Sequence, residues 1–269
     1  MFTLHNGDCL QVMPSIPSGS IDAIITDLPY GTTACKWDTV IEFATMWKEV
    51  KRVLKPYGVF ITTASQPFTS ALIMSDLDYF KYELIWDKNY SGAPGLAKYR
   101  PMPTHENIEV FGIGRITYNP QMQKGKPYTD IRKNAGQKPK NNEHKLGYKI
   151  HQPVFNDGTR YPKSVIFEQK NNKKGQHPTQ KPVALYEYLI RTYTNEGETV
   201  LDIAMGSGTT IEAAERTGRN SIGIEKDEGI FQSAVLRLRS FTPSNRLPLD
   251  VVESPVLPGL SKQGGTDDK

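Results

Sequence analysis

The sequence predicts an α/β fold with a mostly parallel central sheet flanked by helices. Three features point there: short apolar runs bounded by turn residues, helical stripes alternating with them, and a Gly-rich turn joining a strand to a helix. At 269 residues the chain has room for one large domain, or one domain carrying a sizeable insertion, and can bury a core without disulfide or metal staples.

In chain order the expected strands are Ile21–Thr26, Val59–Thr63, Glu83–Trp86, Ile108–Phe111, Val165–Phe167, Thr199–Ile203 and Ser221–Glu225. Each is short and rich in β-branched or aromatic residues. Glu42–Lys55 is an expected helix, with Phe43, Met46, Trp47, Val50, Val53 and Leu54 on one stripe and Pro56-Tyr57-Gly58 as the stop. Pro182–Thr194 opens on a first-turn proline and lines up Leu185, Tyr188, Leu189 and Thr192. Thr210–Thr217 ends before Gly218, a C-cap residue, and Asp227–Ser240 carries Ile230, Phe231, Ala234, Val235 and Leu238. All these stripes read as core.

Between Ile116 and Ser164 the periodicity fades. A structureless loop of that length is unusual inside a compact domain, so the segment is either functional or disordered. Charge separates it from the rest. From Arg115 to Gln176 fourteen Lys and Arg face four acids, a balance of +10 within a chain of +4, which leaves the remainder at −6. A basic block of Asn, Gln, Gly and Tyr fits a phosphate-facing surface, and fits a solvated loop equally well on composition alone. After Thr242, Pro, Ser, Gly and charged residues prevail, so residues 241–269 are expected to form a flexible tail.

Two cysteines, Cys9 and Cys35, stand in no CxxC or metal-ligand spacing, which excludes a disulfide scaffold or zinc module and suits a reducing cytoplasm. No apolar run approaches membrane-spanning length, and the opening MFTLHNGDCL has neither a basic n-region nor an apolar h-region. A cytoplasmic location without membrane attachment is therefore expected. His5, His105, His144 and His151 lack partners at ligand spacing, so no metal is expected.

The strongest local signal is Val200-Leu-Asp-Ile-Ala-Met-Gly206-Ser-Gly208-Thr-Thr-Ile, a strand running through a Gly-rich turn into a helix. Such a turn brings bare N–H groups and the positive end of a helix to a ligand. Asp202 at the strand end can accept from an ammonium or amide. The next strand ends at Glu225, where dinucleotide-type folds hold ribose hydroxyls with a carboxylate. The turn lacks the full G-x-G-x-x-G, so an adenosine-containing cofactor other than NAD is expected. A second signal is Ile-Ile-Thr-Asp27-Leu28-Pro29-Tyr30-Gly31, a buried strand ending in an acid and a proline-shaped turn. Asn6-Gly7-Asp8-Cys9 lies upstream, and His177-Pro178-Thr179-Gln180-Lys181-Pro182 precedes the helix that leads into the glycine turn.

Together these pieces resemble the S-adenosylmethionine-dependent amino-methyltransferases of DNA, of the bacterial and phage type called the beta class. That family places an (Asp/Asn/Ser)-Pro-Pro-Tyr motif first, a target-recognition region next and the cofactor turn last. The order here is Asp27–Tyr30, the basic block, then Asp202–Thr209. Val53-Leu-Lys-Pro-Tyr-Gly-Val-Phe-Ile61, Trp86-Asp-Lys-Asn89 and His105-Glu106-Asn107 are further echoes, and the likeness covers about residues 4–114 and 163–240.

The resemblance implies a Rossmann-like methyltransferase fold with an inserted basic target-recognition region. Residues 1–114 would be the catalytic half, 115–176 the inserted region and 177–240 the cofactor-binding half. It implies Asp27 and the Leu28 carbonyl as acceptors for a base amino group, with Pro29 shaping the turn and Tyr30 stacking on an extruded base. Asp8 would lie near cofactor or base. Asp202, Ala204, Gly206, Ser207, Gly208 and Thr209 would line the cofactor, Glu225 its ribose, and Thr179, Gln180 and Lys181 its methionine end. The partner would be duplex DNA, methylated site-specifically on adenine N6, since cytosine-N4 enzymes commonly begin the motif with Ser. The enzyme would act as monomer or homodimer, paired with a restriction endonuclease or alone.

Two positions depart from the pattern: Leu28 stands where the family has proline, which leaves the loop less rigid, and Ala204 stands where it usually has phenylalanine. They motivate one alternative, a non-catalytic DNA-binding protein on the same fold, while cytosine N4 stays open as target beside adenine on the motif's first residue. Cys35 lacks the preceding proline that ring-carbon methylation calls for, and Lys36 and Trp37 are expected to border the base pocket or pack in the core. The motif order favours the phosphate-facing reading of the basic block. DNA binding should then weaken about a thousandfold or more between roughly 50 and 200 mM salt in a fluorescence-anisotropy titration. A flat salt dependence would show the block to be only a solvated loop.

Overall fold

A computed structural model of the chain describes residues 2–32, 38–91, 94–130, 154–168, 181–241 and 249–253. The elements run β1 (Phe2–Asn6), α1 (Cys9–Val12), β2 (Ile21–Thr26), α2 (Phe43–Val53), β3 (Leu54–Ala64), α3 (Phe68–Ser75), β4 (Phe80–Asp87) and β5 (His105–Phe111). There follow β6 (Gln123–Lys124), β7 (Tyr128–Asp130), β8 (Val154–Asn156), β9 (Thr159–Arg160) and β10 (Val165–Phe167). The last part holds α4 (Val183–Tyr193), β11 (Thr199–Asp202), α5 (Thr209–Arg216), β12 (Asn220–Glu225), α6 (Glu228–Phe241) and β13 (Leu249–Glu253).

Nine strands form one sheet in the order β10-β4-β5-β3-β2-β11-β12-β1-β13. Among them β5 runs antiparallel to both neighbours, β3 and β4, and the other pairings are parallel. The expected mostly parallel sheet is therefore what the chain builds. From β2 the chain steps one way to β3, and from β11 it steps the other way to β12. Between β2 and β11 lies the switch point, and the crevice beyond their carboxyl ends is where open α/β sheets bind ligands.

Side chains alternate across the sheet. Ile24 and Phe60 pack on one face with Val12, Met46, Trp47, Val50 and Leu72 of α1, α2 and α3. Ala23, Ile25, Val59 and Ile61 pack on the other with Leu185, Leu189 and Ile190 of α4 and Ala213 and Ala214 of α5. Burial on both faces explains why these strands read as continuous apolar runs. Phe231, Ala234, Val235 and Leu238 of α6 cover Phe2 and Leu4 of β1.

Local chemistry sets the boundaries. The Glu42 carboxylate caps α2, accepting from the Ala44 and Thr45 N–H groups at 2.9 and 2.7 Å. That helix ends at Val53 rather than Lys55, because Pro56 holds the preceding residue extended and β3 begins at once. The short α1, the apolar α3 and the terminal strands β1 and β13 had no periodic signal. β13 corrects the expected tail: Leu249–Glu253 pairs in parallel with β1, whose outer edge would otherwise leave its backbone groups unpaired.

A second compact unit, Pro120–Lys163, holds two small antiparallel pairs, β6 with β9 and β7 with β8. Within it the Arg160 guanidinium lies over the Tyr128 ring at 4.6 Å and donates to the Lys126 carbonyl at 2.7 Å. Tyr128, Phe155 and Tyr161 are exposed. Cys35, Lys36, Trp37, His144, His151, His177, Thr179 and Gln180 lie outside the described residues. Among the described residues no helix is long and apolar enough to cross a membrane.

Trp47 is the aromatic hub of the first face. Its ring meets those of Phe60, Phe111 and Tyr79 at 5.0, 4.9 and 5.7 Å, and its indole N–H donates to the Ser75 hydroxyl at 2.8 Å. Trp47→Ala should lower the unfolding free energy by about 3–5 kcal/mol in urea denaturation. A loss under about 1 kcal/mol would contradict this packing.

Candidate active site

One edge of the sheet gathers the polar residues. Parallel β2, β11 and β12 end there in Thr26-Asp27, Asp202 and Glu225, β3 ends nearby with Thr63, and antiparallel β5 begins there with His105-Glu106. A cleft of about 1370 Å³ opens along this edge. It is lined by Asp27–Tyr30 and Lys181 on one side of the switch point and by Asp8, Asp202–Ser207, Thr209 and Glu225 on the other.

Asp27 is held from three directions. Its Oδ1 accepts from the Tyr30 hydroxyl at 2.9 Å, from Lys181 Nζ at 3.0 Å and from the Thr63 hydroxyl in a short contact. Its Oδ2 lies 2.9 Å from the same Lys181 ammonium. Lys181 also meets Glu106 Oε2 at 3.0 Å, and Lys88 Nζ donates to Glu106 Oε1 at 2.9 Å. Burial pulls the Lys181 ammonium toward neutrality, but the Asp27 and Glu106 carboxylates outweigh it and hold its pKa above the usual lysine range. For Glu106 burial works upward, and the two lysines overcome it and lower the pKa.

The Tyr30 ring stacks on Phe68 at 5.2 Å and 28° and lies 5.7 Å from Lys181 Nζ. Burial first, then Asp27 and Glu106, keep its phenol protonated far above the ordinary range. Gly31 follows with φ +67°, a left-handed conformation in which a Cβ would lie 2.8 Å from Val40. Asp38 staples that turn, accepting from the Gly31 and Thr32 N–H groups at 2.8 and 2.9 Å.

Across the switch point Asp202 accepts from the Thr26 hydroxyl at 2.7 Å and the Ala204 N–H at 3.1 Å. Burial pushes its pKa up to about 6, against the pull of these hydrogen bonds. Glu225 is fixed by two backbone donors, Gly206 N–H on Oε2 at 3.0 Å and Asp227 N–H on Oε1 at 2.8 Å, and burial raises its pKa. Gly208 enters α5 at φ +79°, where a Cβ would sit 2.9 Å from Leu238. Asp8 caps α1 through the Leu10 N–H at 2.9 Å and pairs with Lys226 at 2.9 Å.

Residues 21–236 match the family model described as DNA methylase. The Type II methyltransferase M.HpaI of Haemophilus parainfluenzae is 31% identical over 255 residues, which span 87% of this chain and 73% of that protein. The chain belongs to the DNA methylase family. The resemblance to DNA amino-methyltransferases drawn from the motifs is thereby established. A further relative, the Type II methyltransferase M.HinfI of Haemophilus influenzae, is 28% identical over 271 residues, or 90% of this chain and 69% of its own. Among solved structures, the cytosine-N4-specific PvuII DNA methyltransferase matches with a TM-score of 0.63 at 18% identity, covering 91% of this chain and 90% of its own. The complex of M1.HpyAVI with SAM matches with a TM-score of 0.59 at 23% identity, covering 88% and 99%. At those identities the likeness is one of fold, and it is the Rossmann-like methyltransferase fold that the motif order implied.

Within this DNA methylase the structure brings Asp8, Asp27, Leu28, Pro29, Tyr30, Asp202, Ala204, Gly206, Ser207, Thr209 and Glu225 to one cleft, with Gly208 in the turn beneath. Lys181, expected at a cofactor's methionine end, lines the same cleft, and its ammonium sits on Asp27 and Glu106, the nearest carboxylates. Thr63, Thr26 and Phe68 have no role in the sequence reading, and Glu106 enters it only within the His105-Glu106-Asn107 echo. A hydroxyl at the end of a buried strand was the available signal for the two threonines.

Asp202 yields a pH prediction. Its folded-state pKa of about 6 exceeds the unfolded 3.8, so between those values the native state holds a proton that the unfolded state has lost. Stability must therefore fall as pH rises through that window, by roughly 3 kcal/mol from this group. In Asp202→Asn this loss should vanish. Urea titrations at pH 4, 5, 6 and 7 should thus show wild type declining relative to the variant, and a constant or growing advantage of wild type would contradict it.

Proposed function

We propose that this DNA methylase transfers a methyl group to N6 of adenine in duplex DNA, at a specific sequence and after swinging the base out of the helix. The observation that supports it most is Asp27 at the carboxyl end of β2, one strand away from the Asp202 turn. The methyl donor is S-adenosylmethionine, which carries its methyl on a sulfonium sulfur and leaves as the neutral thioether. The cleft fits such a group by chemistry as well as volume: the Glu225 carboxylate suits ribose hydroxyls, Asp202 suits the amino-acid ammonium, and Gly206, Ser207 and Gly208 present backbone at the start of α5. Asp8, Ala204 and Thr209 complete the lining.

On the acceptor side Asp27 Oδ2 and the Leu28 carbonyl accept from the two N–H groups of the base amine. This draws the nitrogen lone pair out of conjugation and toward the methyl. The nitrogen becomes positive as its bond to carbon forms, and the Asp27 carboxylate stabilises that charge. One N–H proton then passes to water, restoring a neutral secondary amine. Tyr30, backed by Phe68, offers a ring face on which an extruded base stacks. Adenine is favoured over cytosine by the carboxylate at the first motif position. The basic residues between Arg115 and Gln176 are assigned the phosphate contacts and the choice of sequence. The site needs only one chain, the setting is cytoplasmic, and a companion endonuclease is not required by the chemistry.

Transfer of tritiated methyl from S-adenosylmethionine to mixed-sequence duplex DNA, followed by nucleoside digestion, tests this directly. The label should co-migrate with N6-methyldeoxyadenosine. Label in N4-methyldeoxycytidine would overturn the choice of base, and label on RNA or protein alone would overturn the choice of DNA. Asp27→Ala should bind S-adenosylmethionine as wild type does while losing about a hundredfold or more in transfer rate. Unchanged activity in that variant would remove Asp27 from its role.

A further inference from the structure

Four charged side chains form an alternating row from the cleft to the sheet edge: Asp27, Lys181, Glu106 and Lys88, with successive contacts of 2.9, 3.0 and 2.9 Å. The three members beyond Asp27 are largely shielded, with side-chain exposures of 13 to 16%. In so shielded a place each charge needs its neighbour. Lys181 touches both oxygens of Asp27, which creates a conflict for catalysis. An ammonium on Oδ2 occupies the acceptor that an incoming amino group needs. Moreover the nitrogen becomes positive as the methyl arrives, and it would do so beside a cation already seated on the same carboxylate.

We propose that Glu106 is a positioning residue that resolves this conflict, on the footing of the amino-methyl transfer proposed above. Glu106 shares the Lys181 ammonium with Asp27 in the resting site and takes a larger share when the base amine enters. Two features fit it for this. Its Oε2 lies 3.0 Å from Lys181 but makes no aligned hydrogen bond, so it can accept Lys181 without giving up another partner. Its Oε1 is held by Lys88, so the carboxylate itself stays in place as Lys181 shifts. Glu106 touches neither oxygen of Asp27 and acts only through Lys181. The transfer step is unchanged: the nitrogen lone pair forms the bond to carbon, sulfur keeps the pair of the broken bond, and one N–H proton passes to water.

The test is steady-state methyl transfer by Glu106→Gln, Lys181→Met and the double variant. With Glu106 neutral, Lys181 is left to Asp27 alone. Glu106→Gln should therefore lose about a hundredfold in kcat, while KM for DNA and for S-adenosylmethionine stays within about threefold. Removing the cation as well should recover activity, so the double variant should be faster than Glu106→Gln. Losses that multiply in the double variant, or a rise in KM at unchanged kcat, would overturn the proposal. Glu106→Asp keeps the charge and guards against misfolding; it should retain kcat within about tenfold of wild type. A Glu106→Asp enzyme as slow as Glu106→Gln would make the role one of shape alone. Activity in wild type with multiplying losses rejects the role of Glu106 only, whereas a wild type that methylates no DNA rejects the underlying reaction and this role with it.

Discussion

The hydrogen bond from the Thr26 hydroxyl to Asp202, 2.7 Å long and 176 residues apart in sequence, ties the two halves of the site together. It exists because β2 and β11 are neighbours and parallel, so that both strands release their last residues at the same edge. Asp27 follows Thr26 directly, and the Gly-rich turn follows Asp202 directly. A group held by the turn and a group held by Asp27 are thus forced into one cleft by strand pairing alone. The basic segment can lie between the two motifs in sequence because the sheet, not the chain, brings them together. The helices on both faces bury the apolar side chains of the central strands, and Asp27, Asp202 and Glu225 stand at the carboxyl ends.

Around that seam the site is a balance of acids and cations. Asp202 and Glu225 are buried near the glycine turn and are met by backbone N–H groups and a hydroxyl. Asp27 and Glu106 are met by Lys181 and Lys88. The first pair is fixed by these donors beside the glycine turn. In the second, the two lysines hold the Glu106 carboxyl below its usual range against its burial.

Much of this was legible in the sequence. The sheet strands β2 to β5 and β10 to β12 announce themselves as short apolar runs, while β6 to β9 fall where periodicity fades, and the motifs put Asp27, Asp202 and Glu225 on strand ends. What stayed hidden depends on neighbours. Thr63 matters because β3 lies beside β2, and Glu106 matters because antiparallel β5 starts where β2 ends; neither pairing is written in local sequence. β13 went unnoticed because a strand at a sheet edge draws its order from its partner rather than from its own pattern. The two departures from the family pattern also gain a physical meaning. Leu28 is 3% exposed and packs in the core beneath the turn, so it anchors the loop by burial worth about 1.5–3 kcal/mol where a proline would have stiffened it. Ala204 keeps the one group the turn needs there, the N–H that Asp202 accepts.

Whether Asp27 and the turn at Asp202 act on one pair of reacting atoms is measured directly by a crystal structure of the chain with a non-reactive S-adenosylmethionine analogue and a duplex carrying its methylated sequence. An extruded base is expected there, its amino nitrogen about 3 Å from Asp27 Oδ2 and from the Leu28 carbonyl, facing the analogue in line. A base amine bound away from Asp27, or an analogue seated outside the Asp202–Glu225 side of the cleft, would contradict it.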